Sequence, residues 1–336
     1  MTPLFPPAGP APRALGLLLV PVLVLALAVA RPAGGTPPTT TPTSSPSTSL
    51  GADSRVLCTV FPVYALTREL LAGTPIAVDL LLPAGLGCPH SYSLTPTDLQ
   101  TIAKASCLIC LGLGFEPFLE RITREYPVPV LRSAEGFPVL SSVVAHGDHA
   151  HEQANAHLFT TPAGLKHLTE RIAGFLQERW AIHRDLIGAN AQRLLATFAD
   201  LDTAWQEARR RGEGTPVLLA QDSLDYIARD LGLRVVGRVG GGEGASLSAG
   251  EMVVLIKTIR EQRPVAIVVD AQARVPAAET LANETGLPLV ALDTLARGPD
   301  PLPSGYLAST LRRTLDQLQT FFPAEATGSA PLQEFR

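Results

Sequence analysis

The chain has 336 residues, enough for about two domains of ordinary size. It is 46% hydrophobic and 17% charged, which is typical of a globular protein. The formal net charge of −4 gives no sign of the clustered basic face that nucleic-acid binding requires, so we expect no nucleic-acid partner.

Residues 1–30 have the pattern of an export signal. Arg13 precedes an uncharged apolar run, residues 14–30, which ends in A-V-A. A basic start, an apolar core and a small-residue ending are typical of a signal peptide. The run is at the short limit for a membrane-spanning helix, and Pro21 interrupts it. We therefore predict cleavage after Ala30, with retention as an N-terminal membrane anchor as the alternative.

Residues 31–53 are predicted to form a disordered tether. Their central part, residues 36–49, contains only Thr, Pro and Ser. Such a segment has no apolar side chains to bury and remains extended. The globular part is therefore expected to begin near Ser54, and residues 324–336 are expected to form a flexible tail.

From residue 55 onwards, short strand patterns alternate with helix patterns. This alternation indicates parallel sheets flanked by helices. The predicted fold class is α/β, with two lobes that each contain a parallel β-sheet, at residues 54–145 and 186–323. A binding site is expected in the cleft between them, at loops that follow the carboxyl ends of strands. The predicted strands are residues 55–60, 76–82, 107–112, 128–131, 215–220, 234–239, 264–270 and 288–293.

Residues 146–156, between the two lobes, are rich in histidine. His146, His149 and His151 alternate with small and acidic residues, and no apolar residue fixes them in place. We predict a mobile, solvated loop here. Any metal held by these three histidines is expected to bind loosely and reversibly.

Residues 157–185 are predicted to form a helix that links the lobes. Apolar residues recur there at helical spacing. Thr161 is a suitable helix cap and Pro162 suits the first helical position, so the helix is expected to start at this point.

The chain has four cysteines, an even number, and its N-terminus has the pattern of an export signal. One or two disulfides are therefore an option, and buried thiols are the alternative. A C-x-x-C pair alone is half of a zinc site, and the sequence has no second pair. The four are Cys58, Cys88, Cys107 and Cys110.

Five polar residues lie where a cleft between the lobes is expected. His90 lies in the loop after the second strand, and His157 lies between the lobes. Gln221 and Asp222 follow the strand at 215–220, and Asp293 ends the strand at 288–293. A lone histidine is more often a hydrogen-bonded surface or core residue, so position alone does not identify a ligand.

Longer segments of the chain resemble a known family. Residues 60–73 and 81–119 resemble the N-terminal lobe of the zinc/manganese solute-binding proteins of bacterial metal ABC importers, of the cluster A-I type. The most specific motif is P-H-x-Y-x-x-T-P at residues 89–96. Weaker similarities continue in consistent order, so that the resemblance covers roughly residues 55–322.

The resemblance implies a single divalent ion held between two lobes by one ligand from each of four segments. It assigns His90, His157 and Asp293 as ligands. The third segment carries His or Glu in the family, whereas this chain has Gln221. An amide oxygen is uncharged and replaces imidazole poorly, so we expect weaker Zn²⁺ binding or tolerance of Mn²⁺ or Fe²⁺. A degenerate site without a physiological metal is the alternative.

Three further residues near these positions have other expected roles. Asp222 is expected to point elsewhere, and Asp270 is expected to contact a ligand or the other lobe. Cys88 lies two residues before His90 and is a soft ligand if its thiol is unmodified, although a buried or disulfide-bonded state is preferred.

The resemblance implies an exported, periplasmic or extracytoplasmic monomer that delivers the ion to the membrane permease of an ABC importer. No enzymatic activity is expected, because the sequence lacks G-x-S-x-G, H-E-x-x-H and P-loop motifs. Two alternatives remain. One is a surface adhesion protein on the same scaffold, which the tether favours, and the other is a metal-dependent hydrolase that uses a metal-bound water.

Overall fold

A computed structural model describes residues 54–86, 89, 92–146, 149–240 and 247–322 of the chain. The predicted export signal, tether and tail lie outside the described residues. His90 and Cys88, which the sequence singles out, also lie outside them.

The N-terminal half forms a four-stranded parallel sheet in the order β2-β1-β3-β4. The two central strands are almost wholly buried, because helices cover both faces of the sheet and the strands are continuous apolar runs. The elements are β1 (Arg55–Cys58), α1 (Phe61–Leu70), β2 (Ala77–Leu80), α2 (Pro96–Lys104), β3 (Cys107–Cys110), α3 (Leu119–Glu125) and β4 (Val130–Arg132).

An antiparallel hairpin follows the first sheet. Its strands are β5 (Ser141–His146) and β6 (His149–Ala154), with His146 paired to His149. For residues 142–146 and 149–152 only the backbone is described. The loop expected over residues 146–156 is corrected here, because His146 and residues 149–154 are paired. Two residues separate His146 from His149 in the sequence, which is the commonest length of a hairpin connection.

The base of the hairpin is closed by three hydrogen bonds. The backbone N–H of Asn155 donates to the carbonyl of Leu140 at 2.7 Å. The buried hydroxyl of Tyr226 accepts from the N–H of Leu140 at 3.0 Å and donates to the carbonyl of Asn155 at 2.7 Å. The hairpin is therefore attached at its base to the C-terminal half of the chain.

Two long helices follow, α4 (Pro162–Arg179) and α5 (Arg184–Gly212), which pack against each other. The single helix expected over 157–185 is therefore corrected to a short 3-10 turn, His157–Thr160, followed by α4. This helix ends at Arg179, and the next residue, Trp180, is buried and has a non-helical conformation, with φ −121° and ψ 67°. The start of α4 is confirmed, since Thr161 caps it and accepts from the N–H of Gly164 at 3.4 Å.

The C-terminal half forms a second four-stranded parallel sheet in the order β10-β9-β7-β8. The predicted α/β fold with two parallel sheets is thus confirmed. None of the helices in the described ranges is long and apolar enough to cross a membrane. The elements are β7 (Pro216–Leu219), α6 (Asp225–Asp230), β8 (Arg234–Arg238), α7 (Ala249–Gln262), β9 (Ala266–Asp270), α8 (Pro276–Thr285), β10 (Leu289–Leu292) and α9 (Tyr306–Gln319).

The segment after β10 contacts the N-terminal half. The N–H of Gly298 donates to the carbonyl of Ala84 at 3.2 Å, and that of Gly305 donates to the Glu69 carboxylate at 3.1 Å. A Cβ atom on Gly298 would lie 1.7 Å from the buried ring of Phe61. Glycine is therefore required at residue 298, where the segment after β10 passes close to α1.

Three cysteines are buried in the core as free thiols: Cys58, Cys107 and Cys110. No disulfide forms among them, so the disulfide option is excluded for these three residues. Burial raises the pKa of Cys107 to about 12, and it also raises the pKa of Cys58 and of Cys110. These thiols are therefore protonated packing residues, with little thiolate to bind a metal.

Candidate metal centre

Gln221 and Asp270 lie at the point where the order of the second sheet reverses. The chain runs from β7 to β8 on one side and returns to β9 on the other, which opens a crevice between the carboxyl ends of β7 and β9. Gln221 follows β7 and Asp270 ends β9, and both side chains are buried. The Oε1 atom of Gln221 accepts a hydrogen bond from the N–H of Asp270 at 3.1 Å.

The first sheet has a corresponding point between β1 and β3, which the buried carboxylate of Glu116 occupies. It accepts hydrogen bonds from the Thr59 hydroxyl at 2.6 Å and from the N–H groups of Leu111 and Gly112 at 2.8 and 2.9 Å. Burial raises the pKa of Glu116, although these hydrogen bonds act in the opposite direction. The ring of the preceding residue, Phe115, is also buried and packs against Phe159, with the ring centroids 6.0 Å apart.

His157 is buried against the Phe115 ring, with the centroids 5.3 Å apart and the planes at 87°. The Oδ1 atom of Asn155 accepts from the backbone N–H of His157 at 3.0 Å and contacts its Nδ1 at 2.9 Å. The Nδ2 atom of Asn155 faces two acceptors, the carbonyl of Asp222 at 2.8 Å and the Oδ2 atom of Asp225 at 3.3 Å. These acceptors assign the amide orientation, with the oxygen toward His157.

The proton of the His157 ring is thereby assigned to Nδ1, which donates to the Asn155 oxygen. The Nε2 atom then carries the unshared electron pair, through which a neutral imidazole binds a metal. The sequence predicts His157 as a ligand, and this tautomer is the one that binding through Nε2 requires.

The turn that carries His157 lies directly on the first turn of α4. A Cβ atom on Gly164 would lie 1.8 Å from the carbonyl oxygen of Leu158. The Thr160 hydroxyl also donates to the carbonyl of His157 at 2.9 Å. The position of His157 therefore depends on glycine at residue 164.

Asp293, directly after β10, is half-buried, and both of its carboxylate oxygens accept hydrogen bonds. Its Oδ1 accepts from the N–H of Leu295 at 2.9 Å and from Nε2 of Gln272 at 3.3 Å. Its Oδ2 accepts from the hydroxyl of Tyr306 at 3.0 Å. Burial and the charge of Asp293 raise the pKa of Tyr306 to about 12, so the hydroxyl remains a donor at neutral pH.

Asp270 connects the Gln221 side of the crevice to the Asp293 side. Its carboxylate accepts from the N–H of Gln272 and from the hydroxyl of Thr294, both at 2.9 Å. Burial raises the pKa of Asp270, and the charge of Asp293 adds to this shift. These contacts favour the expected role of Asp270 as a residue that supports its neighbours.

Hydrogen bonds and one peptide link thus join the described candidate ligands in a single series. In order it contains His157, Asn155, Asp222, Gln221, Asp270, Gln272 and Asp293. Within the described part of the chain, no three His, Cys, Asp or Glu side chains cluster closely enough to hold a metal by themselves. The fourth predicted ligand, His90, lies outside that part, as does Cys88.

The remaining predicted residues have different positions. Asp222 joins the series through its backbone carbonyl. His146, His149 and His151 lie on the hairpin, where only the backbone is described.

Three residues of the site were not anticipated from the sequence: Asn155, Gln272 and Tyr306. Asn155 has a recognisable signal, because a short amide two residues before a candidate ligand can orient it. Gln272 and Tyr306 reach Asp293 only through tertiary structure, and no local pattern marks them.

The family described as zinc-uptake complex component A, periplasmic (ZnuA), matches residues 56–321. The chain belongs to the ZnuA family. Within it, the high-affinity zinc uptake system protein ZnuA of Bacillus subtilis is 22% identical over 268 residues, 74% of this chain and 82% of that protein. A Thermotoga maritima protein whose name describes metal binding is 28% identical over 185 residues, 54% of this chain. The chain spans only 62% of the length of that relative.

A solved structure has the same fold. The SBP FpvC of Pseudomonas aeruginosa in complex with Mn²⁺ superposes with a TM-score of 0.72 at 20% identity. The superposition covers 80% of this chain and 98% of FpvC. At this identity the likeness shows the fold.

Proposed function

We propose that this ZnuA-family chain is an extracytoplasmic solute-binding protein that binds one divalent transition-metal ion and delivers it to an ABC importer. The observation that carries this proposal is the series of contacts that joins His157, Gln221 and Asp293 at the carboxyl ends of strands. The description of the family as a zinc-uptake component supports zinc as the cargo.

The donor atoms available to the ion are chemically mixed. They comprise the imidazole nitrogen of His157, the carboxylate of Asp293 and the amide oxygen of Gln221, together with His90. Nitrogen and oxygen donors suit Zn²⁺, and the share of oxygen makes Mn²⁺ or Fe²⁺ an alternative cargo. Since Oε1 of Gln221 also accepts from the N–H of Asp270, its bond to the ion should be the weakest of the four.

The location and the partner of the protein belong to the same proposal. The export pattern of residues 1–30 and the periplasmic description of the family support a position outside the cytoplasm. There a monomer would present its ion to the membrane permease of the importer. Cleavage after Ala30 releases it, whereas an uncleaved segment would anchor it.

Titration calorimetry with Zn²⁺ and Mn²⁺ tests the proposal. Wild type is expected to bind one ion per chain, and His157→Ala and His90→Ala are each expected to remove tight binding. The matched control is His167→Ala on α4, whose ring contacts Phe137 and the carbonyl of Glu135 and should leave binding unchanged. Absence of binding by wild type, or equal binding by wild type and His157→Ala, would contradict the proposal.

A further inference from the structure

The carboxylate of Asp293 already has donors on both oxygens. An ionised carboxylate offers about four acceptor positions, two on each oxygen. Among the residues that the structure describes, Leu295 and Gln272 donate to Oδ1, at 2.9 and 3.3 Å, and Tyr306 donates to Oδ2. These donors leave one acceptor position, on Oδ2.

We infer that Gln272 determines metal selectivity by restricting Asp293 to a single bond to the ion, through Oδ2. The inference rests on the proposed function, in which Asp293 is a ligand of the transported ion. A bidentate carboxylate needs an acceptor position on each oxygen, and Oδ1 has none while both of its donors are in place. Single-oxygen ligation suits four-coordinate Zn²⁺, whereas Mn²⁺ prefers more oxygen ligands and octahedral geometry.

Gln272 is itself held on both sides. Its N–H donates to Oδ1 of Asp270 at 2.9 Å, and its carbonyl accepts from Nη1 of Arg297 at 2.5 Å. The backbone of Gln272 is therefore fixed beside Asp293, and its amide reaches Oδ1 without a further rearrangement.

Tyr306 provides an internal comparison because it donates to the other oxygen. Its ring packs edge-on against Phe61 of α1, with centroids 5.7 Å apart and planes at 86°. Tyr306→Phe keeps this ring contact and removes one donor from Oδ2, which leaves Oδ1 fully occupied. Gln272→Leu keeps the side-chain bulk and removes one donor from Oδ1, which creates the position that bidentate binding needs.

Competition titrations of the full chain with Zn²⁺ and Mn²⁺ test this inference. Gln272→Leu is expected to shift the ratio of the two dissociation constants toward Mn²⁺ by about tenfold. Tyr306→Phe is expected to change both constants alike and leave the ratio unchanged. The matched control, Gln262→Leu, replaces an exposed glutamine that bonds Arg234 and should also leave the ratio unchanged.

A coordination-sensitive probe separates a change of ligation from a loss of structure. With Co²⁺ in place of Zn²⁺, wild type and Tyr306→Phe should show the strong visible absorption of four-coordinate cobalt, and Gln272→Leu a weaker one. If Gln272→Leu unfolds, Gln272→Met serves as the second variant without a donor. If wild type binds metal and the Gln272 variants have the same ratio of Zn²⁺ and Mn²⁺ dissociation constants as wild type, this inference is overturned and the proposed function is unaffected. Wild type that binds no metal would overturn the proposed function as well.

Discussion

Asn155 holds His157 at two points, the backbone N–H at 3.0 Å and the ring Nδ1 at 2.9 Å. The same amide donates to Asp222 and Asp225, and Asp225 in turn pairs with Arg238 at 2.7 Å. The orientation of this imidazole is thus set by residues that follow β7 and end β8. Contacts with the C-terminal half of the chain thus orient this histidine.

We predict that Asn155→Ala weakens Zn²⁺ binding by about tenfold to a hundredfold, because the proton of His157 is then no longer held on Nδ1. Competition with a chromophoric chelator measures the dissociation constant. Asn190→Ala is the matched control, since that amide bonds the carbonyls of Leu70 and Ala72 at the end of α1. The control should lose stability and keep its affinity. Equal affinities of wild type and Asn155→Ala would refute this role.

Gly164→Ala is predicted to lower the free energy of unfolding by about 1–3 kcal/mol. The added Cβ would lie 1.8 Å from the carbonyl oxygen of Leu158, so the turn carrying His157 must move and zinc affinity should fall as well. Gly174→Ala, on the same helix, meets no atom within 4 Å and should raise stability by about 0.5–1 kcal/mol. Urea unfolding and zinc titration of both variants check this. Equal unfolding free energies and equal zinc affinities of the two variants would show that the contact of residue 164 with the carbonyl of Leu158 does not position His157.

The raised pKa of Glu116 predicts a pH dependence of stability. Its pKa is raised from 4.5 in the folded chain, so the folded state binds more protons than the unfolded state above pH 4.5. The contribution of Glu116 to the free energy of unfolding is therefore fully present below about pH 4.5, and it is lost as pH rises through the folded pKa. The unfolding free energy of wild type, relative to Glu116→Gln, should therefore fall as pH rises from 4.5 through the folded pKa. The fall should be about 1.4 kcal/mol for each unit of pKa difference.

Urea unfolding at several pH values measures this difference. Glu120→Gln, at an exposed position of α3, is the matched control and should follow wild type across the range. A constant difference between wild type and Glu116→Gln would show that the folded and unfolded pKa values of Glu116 are equal.

Shortening the hairpin is predicted to spare the tight site. Val143 pairs with Glu152, so removal of residues 144–146 and 149–151 keeps the strands in register and the two-residue connection in place. All three hairpin histidines are then absent, while the base at Leu140 and Asn155 is unchanged. Calorimetry should show the same tight dissociation constant and fewer weakly bound ions. A large loss of tight binding would mean that the hairpin supplies a ligand.

Local sequence signals predict much of the fold. Thr161 and Pro162 mark the start of α4 because capping is a property of adjacent residues, and the eight strands of the two sheets follow from apolar runs. The positions of Gln221 and Asp293 at strand ends follow from the same reasoning, since parallel strands bring their carboxyl ends to one edge.

The features that sequence reasoning missed depend on contacts between distant segments. The hairpin is joined at its base to the hydroxyl of Tyr226, more than 70 residues away along the chain. Tyr306 and Gln272 reach Asp293 because α9 and the turn after β9 converge on the end of β10. No spacing along the chain encodes that convergence.

The closed base of the hairpin has a practical consequence. Leu140 and Asn155 are hydrogen-bonded to each other and to Tyr226. The two ends of any polypeptide inserted between them would therefore lie close together. A fluorescent protein grafted in place of the hairpin would be fastened to Asn155, two residues from His157. If His157 is a ligand, as proposed, binding of an ion there would be coupled to the chromophore through Asn155. The position is a natural insertion point for a genetically encoded metal reporter.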